Sequence, residues 1–365
     1  MNRTKCESQI YKNYRFTQLT HASFTPVSQF FAIFTPGIIA SLMMRNVTFI
    51  AFCACFALLT NFACSSSKKS GSEIHELYEP ETVLPDTFVL PRVPASITDP
   101  DERAQYLIHH FWDRFDFDDS ELTRKPAITE QAFVDYIHLL SFLPAGESAD
   151  PLLNTLQRAQ TDSTMYRYFV SLMEKYFYDP NSPFRNEEHY IPVLNEISSS
   201  SMLDETERSR YRFQLEMTLQ NRVGEKANNF TFILPTGDSR ALMDIKSQYL
   251  LLLFSNPDCP TCEAVVGYLD GSHALNRAMS MNSPTRTMLT ILTIYPDSDL
   301  EGWKAHLPQM PQQWLHGYDP GMAITHNRLY DIKAIPTIYL LDSDMKVLLK
   351  DTSIEEVESF FSVIN

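Results

Sequence analysis

The feature that most constrains this chain is a pair of cysteines, Cys259-Pro260-Thr261-Cys262, set between two different hydrophobic patterns. Ahead of it runs an unbroken apolar segment, Tyr249-Leu250-Leu251-Leu252-Leu253-Phe254, which reads as a strand buried on both faces. Behind it, Glu263 to Met281 is compatible with a helix. A cysteine at a helix N-terminus meets unpaired N–H groups and the positive end of the helix dipole. Both favour the thiolate, lowering such thiols from about 8.5 into a range of roughly 3.5–7.5. Two intervening residues let the second sulfur reach the first and close a disulfide. The spacing alone is also used by zinc and haem attachment sites. Zinc would want a second cysteine pair, and none follows Cys262; haem would want a histidine at 263, where Glu263 stands.

Further along, Ala334-Ile335-Pro336-Thr337 opens a second apolar run, Ile338-Tyr339-Leu340-Leu341. Proline is tolerated at the first residue of a strand but rarely beyond it. Together with the cysteine pair this pattern resembles the thioredoxin superfamily, in which a cis-proline sits beside the Cys-x-x-Cys and presents backbone to a bound peptide. The resemblance implies Cys259 as attacking thiol, Cys262 as resolving thiol, Pro336 as the cis-proline and Ile335 as the residue that touches the client.

The order of elements from Gly224 onward fits the same family. A strand and turn occupy Phe230 to Asp238, and Met288 to Tyr295 forms a second buried strand. A helix from Leu300 to His306 and an edge strand from Gln313 to Tyr318 follow. A helix is expected from Asp319 to Tyr330, a hairpin around Asp342-Ser343-Asp344, and a closing helix from Ile354 to Val363. The inserted helix and strand resemble those of TlpA-like and ResA-like anchored thiol reductases. The expected fold is therefore an α/β thioredoxin-like domain over 223–365, a central mixed sheet flanked by helices, preceded by an all-α domain.

That all-α domain is expected over 96–222. Asp99-Pro100-Asp101-Glu102 opens a helix whose apolar residues Ala104, Leu107, Ile108, Phe111, Trp112 and Phe115 keep helical spacing. Ala132 to Leu140 repeats the pattern, and Asp150-Pro151 is expected to cap a helix through Leu153, Leu156 and Ala159. Met165 to Phe177 and Tyr190 to Ile197 give two more stripes, and Asp204 opens a last helix with Tyr211, Leu215 and Leu219. These stripes read as core. The adjacent His109 and His110 point apart on a helix and make no metal site. The arrangement resembles a helical domain of unknown function found ahead of thioredoxin-like domains in Gram-negative lipoproteins; client binding, dimerisation and spacing are all open to it.

The start of the chain carries a different signal. Met43-Met44-Arg45-Asn46 followed by Val47 to Thr60 makes a basic and then apolar leader. Asn61-Phe62-Ala63-Cys64-Ser65 resembles a bacterial lipoprotein signal, although Asn61 departs from the usual aliphatic residue. The resemblance implies lipidation of Cys64. Residues 1–63 are expected to be a leader, with the signal peptide over about 43–63 and translation starting at Met43 or Met44. Residues 64–95, rich in Ser and Pro, are expected to form a lipidated linker. Of the six cysteines only Cys64, Cys259 and Cys262 lie beyond the leader, which suits an oxidising compartment. The whole chain carries −15, and the 25 basic and 44 acidic residues after position 63 leave −19. Such a balance argues against a nucleic-acid partner and against polybasic attachment to anionic lipid.

Departures from the family pattern bear on mechanism. Asp258 and Thr261 flank the cysteines where the anchored reductases carry tryptophan and proline, and Pro260 comes first. Leu253 stands where thioredoxins bury an aspartate, which leaves the proton acceptor for Cys262 open; Asp258 and Glu263 are nearby but expected to face solvent. The expected activity is reduction of disulfides in client proteins at the cell envelope. The protein would be lipid-anchored, face the periplasm, and be re-reduced by a membrane electron donor, with no cofactor or metal. A zinc module built on His306, His316 and His326 lacks a compact spacing, and a peroxidase would want Thr or Ser where Asn256 stands. A disulfide isomerase or oxidase, and a non-enzymatic lipoprotein whose helical domain binds a partner, are the alternatives.

Overall fold

The computed structural model describes residues 87–143 and 146–363. The leader, Cys64 and most of the expected linker lie outside the described residues. Two compact units are formed. The first takes in described residues up to Phe115 together with Lys125–Val134; the second comprises Asp116–Arg124 and the chain from Asp135 onward. The boundary expected near residue 222 thus falls inside the second unit. No helix among the described residues is long and apolar enough to cross a membrane.

In the first unit, helix α1 (Pro100–His110) begins where its sequence says it should. Asp99 accepts the N–H groups of Asp101 at 3.0 Å and Glu102 at 3.1 Å. Losing such a cap typically costs about 0.5–2 kcal/mol. The helix stops at His110, and Phe111 and Trp112 continue its buried face through a turn. Phe88, in the stretch expected to be linker, stacks on Phe111 with centroids 4.9 Å apart and sits edge-on to Trp112 at 5.5 Å. That end of the linker is therefore pinned by aromatic packing. Helix α2 (Thr129–Leu140) begins in this unit and ends in the second.

The second unit also holds four helices ahead of its sheet, α3 (Ala149–Ala159), α4 (Ser163–Phe177), α5 (Glu187–Ile197) and α6 (Glu205–Thr218). The expected cap at Asp150-Pro151 is displaced: Ser148 precedes α3, and both residues lie inside its first turn. Asp162 caps α4, and Asp204 with Glu207 forms a reciprocal capping box on α6. The stripe Met165, Phe169, Leu172, Met173 and Phe177 is buried. Leu219, expected on the apolar face of α6, falls beyond the end of that helix and is exposed.

The sheet has seven strands in the order β2-β1-β5-β4-β3-β6-β7. They are β1 (Thr231–Ile233), β2 (Ser239–Ala241), β3 (Tyr249–Phe254), β4 (Leu289–Tyr295), β5 (Leu315–Tyr318), β6 (Thr337–Asp342) and β7 (Val347–Lys350). Strand β3 runs parallel to β4 and antiparallel to β6, so the sheet is mixed. Its period of two explains the unbroken apolar run. Leu250, Leu252 and Phe254 join one core cluster with Phe230, Phe232, Tyr330 and Tyr339. Leu251 and Leu253 join the other, beneath Val266, Leu269, Leu275, Val357 and Phe361. Each fully buried leucine is worth roughly 1.5–3 kcal/mol.

Three expectations are corrected here. The single helix over 263–281 is two, α7 (Pro260–Gly271) and α8 (His273–Ser280). Ser272 is extended, with φ −67° and ψ 124°, and its hydroxyl accepts the N–H of Leu275, starting a new helix. Strand β5 is interior rather than an edge, because Ile233 of β1 pairs with Tyr318 and the β1–β2 hairpin covers it. Gly317 permits this closeness: a Cβ there would lie 2.6 Å from both Ile294 and the Phe232 ring. The helix expected from Asp319 to Tyr330 is reduced to a turn and a short α10 (Ala323–His326), because Gly321 and Met322 both take positive φ. Buried Asp319 accepts the N–H groups of Ala323 at 3.0 Å and Ile324 at 2.9 Å instead. Helices α9 (Leu300–His306) and α11 (Ile354–Ser362) stand close to where they are expected.

Candidate active site

The register of β3 against β6 builds the site. Phe254, the last residue of β3, pairs with Thr337, the first of β6. The loop leaving β3 and the loop entering β6 therefore emerge side by side. The first carries Cys259 and the second carries Ile335 and Pro336. The Cys259 sulfur lies 3.7 Å from the Ile335 carbonyl oxygen, and the Ile335–Pro336 peptide is cis. All four residues singled out around this point in the sequence are thus brought together.

Cys259 is the N-cap of α7, and Pro260 fills the first helical position, where a missing N–H costs nothing. The N–H of Cys262 donates to the Cys259 sulfur at 3.1 Å. The two cysteines are joined in a disulfide, with Cα atoms 5.2 Å apart. Their access to solvent differs: Cys259 is partly buried, whereas Cys262 is 1% exposed. Asp258 and Glu263 are exposed, and Leu253 is fully buried.

A small cavity of about 50 Å³ adjoins Cys262, with Ser255, Asn256, Glu263, Val266, His306, Gln309 and Met310 around it. A second, of about 20 Å³, shares Ser255, His306 and Met310 and reaches Tyr295, Trp303 and His316. Inside it His316 uses both ring nitrogens. Nε2 donates to the Pro311 carbonyl at 3.0 Å, and Nδ1 accepts from the Thr293 hydroxyl at 2.8 Å. His326 is exposed on α10 and borders neither cavity. Among the described residues no group of three or more His, Cys, Asp or Glu is set to hold a metal ion.

Burial holds His316 below the ordinary imidazole range, and it does the same to His189, whose Nδ1 lies 2.6 Å from the Ser148 hydroxyl. As pH falls below about 6.5 the unfolded chain protonates these imidazoles before the folded one does. Stability is therefore expected to drop on acidification from pH 7 to 5.5. Thermal unfolding at the two pH values checks this, and the loss should shrink in a His189→Gln, His316→Gln double variant.

A charged cluster lies under the proline loop, unmarked by any local sequence pattern. Lys333, two residues before Ile335, pairs with Asp331 at 2.8 Å and with Glu187 of α5. Lys350 pairs with Glu187 at 2.6 Å and donates to the carbonyls of Thr218 at 2.7 Å and Gln220 at 2.6 Å. Arg185 pairs with Asp351 at 3.2 Å. Side chains of Lys333, Lys350, Asp331 and Glu187 are only 6–12% exposed. Burial alone would raise the Glu187 carboxyl, but Lys333 and Lys350 outweigh it and hold that group below the usual range. Burial likewise opposes charge on Lys333, and Glu187 and Asp331 overcome it and raise its pKa. Asp351 is the exception, pushed up by burial that Arg185 only partly offsets.

Comparison with known proteins matches two families along the chain. A domain of unknown function (DUF5106) matches residues 63–221, and a thioredoxin-like family matches residues 247–347. Among solved structures, a thioredoxin-like protein from Bacteroides caccae is 38% identical, aligned over 77% of this chain and 99% of its own, with a TM-score of 0.73. The C-terminal domain of an uncharacterized protein from Bacteroides fragilis is also 38% identical, over 39% of this chain and 98% of its own, with a TM-score of 0.37. The thioredoxin domain of a thiol-disulfide oxidoreductase from Bacteroides vulgatus is 20% identical over 39% and 97% respectively, with a TM-score of 0.33. No curated protein matches the chain.

Proposed function

The chain belongs to the thioredoxin-like proteins, and on that premise we propose that it is a thiol-disulfide oxidoreductase of the cell envelope that reduces disulfides in client proteins. The observation that carries the reading is the unequal access of the two bonded sulfurs. Cys259 is reachable, accepts a helix N–H and faces a backbone carbonyl, while Cys262 is sealed behind it. An accessible thiolate attacks, and a shielded neighbour resolves.

In the reducing direction the Cys259 thiolate attacks one sulfur of a client disulfide. A mixed disulfide forms, and the other client sulfur leaves as a thiolate that takes up a proton. Cys262 then attacks the Cys259 sulfur, the internal disulfide closes, and the second client thiol is released. Two electrons pass from the cysteine pair to the client. A membrane-held thiol donor restores the dithiol. The backbone around Ile335 and Pro336 is the surface on which the client chain would lie during attack. The leader and the Cys64 signal support a periplasm-facing lipid anchor as the setting for this chemistry.

The test is a redox titration of the protein with thiol trapping, paired with reduction of a protein disulfide such as insulin. A potential near or below about −250 mV with turnover supports a reductase, by comparison with thioredoxin. A value above about −180 mV would reassign the protein as an isomerase or oxidase. A pair that never cycles would overturn the enzymatic reading and leave partner binding by the helical region.

A further inference from the structure

We infer that His306 is the proton acceptor for Cys262, acting through water in the cavity that the two residues share. The inference rests on the oxidoreductase reading above and supplies the base that reading lacks. Cys262 is 1% exposed, and a thiol must lose its proton before it can attack. Its own N–H points at the Cys259 sulfur, so the helix terminus serves Cys259 rather than Cys262. Leu253, on the sheet face under α7, offers no acceptor.

Asp258, on the loop before α7, is exposed. On α7 itself Glu263 borders the cavity but is also exposed. On β4 the hydroxyl of Tyr295 is pushed up by burial and by Asp297 and Asp299, so it holds its proton. On β5 both nitrogens of His316 are occupied by Thr293 and Pro311. At the end of α9, His306 borders both cavities and is partly buried. Imidazole is the side chain suited to taking and returning a proton near neutral pH. The cavity beside Cys262, about 50 Å³, exceeds the roughly 10–15 Å³ that one water needs. Ser255, Asn256 and Gln309 supply polar partners for such a water.

In the mixed disulfide, the Cys262 proton passes through water to an imidazole nitrogen of His306. The thiolate electron pair forms the Cys259–Cys262 bond, and the bond from Cys259 to the client sulfur breaks. The departing client thiolate takes a proton back from the imidazolium or from solvent. The cysteine pair loses two electrons and the client gains them.

The experiment is a single-turnover reaction of the reduced full chain with a disulfide-linked peptide carrying a fluorophore, followed from pH 6 to 9. It separates formation of the mixed disulfide from its resolution. His306→Gln is expected to leave the first step unchanged. It should slow resolution by roughly 10²-fold near pH 7, the low end for general-base catalysis. The deficit should close as pH rises and Cys262 ionises unaided. Glu263→Gln should resolve at the wild-type rate. Thermal unfolding of each variant, together with its intact first step, reports whether it is folded. A His306→Asn variant, read in the same way, stands in if the glutamine variant fails to fold. Resolution by the histidine variants at the wild-type rate and pH profile overturns the inference alone, as does loss of resolution in Glu263→Gln. A wild-type protein that never forms the mixed disulfide overturns the oxidoreductase reading, and the inference with it.

Discussion

Replacing Cys262 with serine is expected to stop turnover and leave client proteins bonded to Cys259. A serine hydroxyl cannot displace a thiol from a disulfide, so the mixed disulfide loses its exit. Turnover should fall by roughly 10³-fold or more, as when a nucleophile is removed from other enzymes. The first attack should survive, because Cys259 keeps its place at the N-terminus of α7 and its hydrogen bond comes from the backbone N–H of residue 262. Cys259→Ser should abolish turnover to the same extent and trap nothing, because Cys262 is sealed from a protein-sized client. Alkylated extracts run on a non-reducing gel read both outcomes as a ladder of adducts that thiol reductant collapses. Equal trapping by the two variants would reverse or dissolve the assigned roles.

How much of this was legible in the sequence depends on the range of the interaction involved. The run from Tyr249 to Phe254 declared a strand covered on both faces, because every residue in it is apolar and the two core clusters divide it by parity. Asp99 and Asp204 announced helix starts through side-chain bonds that reach only two or three residues. The pairing of the cysteine loop with the proline loop was legible only through the family resemblance; the register of antiparallel β3 and β6 is what brings their connected ends together. Ser272 was missed because a serine inside a helical pattern is ambiguous until its hydroxyl is seen to cap Leu275. The interior place of β5 hangs on one residue pair, Ile233 with Tyr318, which no periodicity encodes. His306 went unread as a neighbour of the cavity beside Cys262 because the end of α9 and the start of α7 border one space only in the folded chain.

The charged cluster was the least legible part, and it gives the largest stability prediction. Glu187 and Lys333 are 146 residues apart, and nothing local marks either. Glu187→Ala is expected to destabilise the protein by about 3–5 kcal/mol, because it leaves two buried ammonium groups short of their shared counter-charge. Urea unfolding with a shared slope measures it. Replacing Glu187, Lys333 and Lys350 together with apolar residues of similar volume should cost far less, since no unpaired charge is then left in the interior. The pH dependence follows from the direction of each shift. Glu187 titrates lower in the folded chain, so its contribution is present above the ordinary glutamate range and is lost as acid protonates it. Lys333 titrates higher when folded, so its contribution persists at neutral pH and is lost only in strong base. Asp351 works against folding as pH rises through its raised value, and Asp351→Asn should flatten that part of the profile. The same cluster fixes the backbone two residues ahead of Ile335. The Glu187 variant should therefore also slow the first attack on a client at temperatures where it is still folded. A variant with the full stability loss and an unchanged attack rate would show that Lys333 anchors the fold without setting the proline loop.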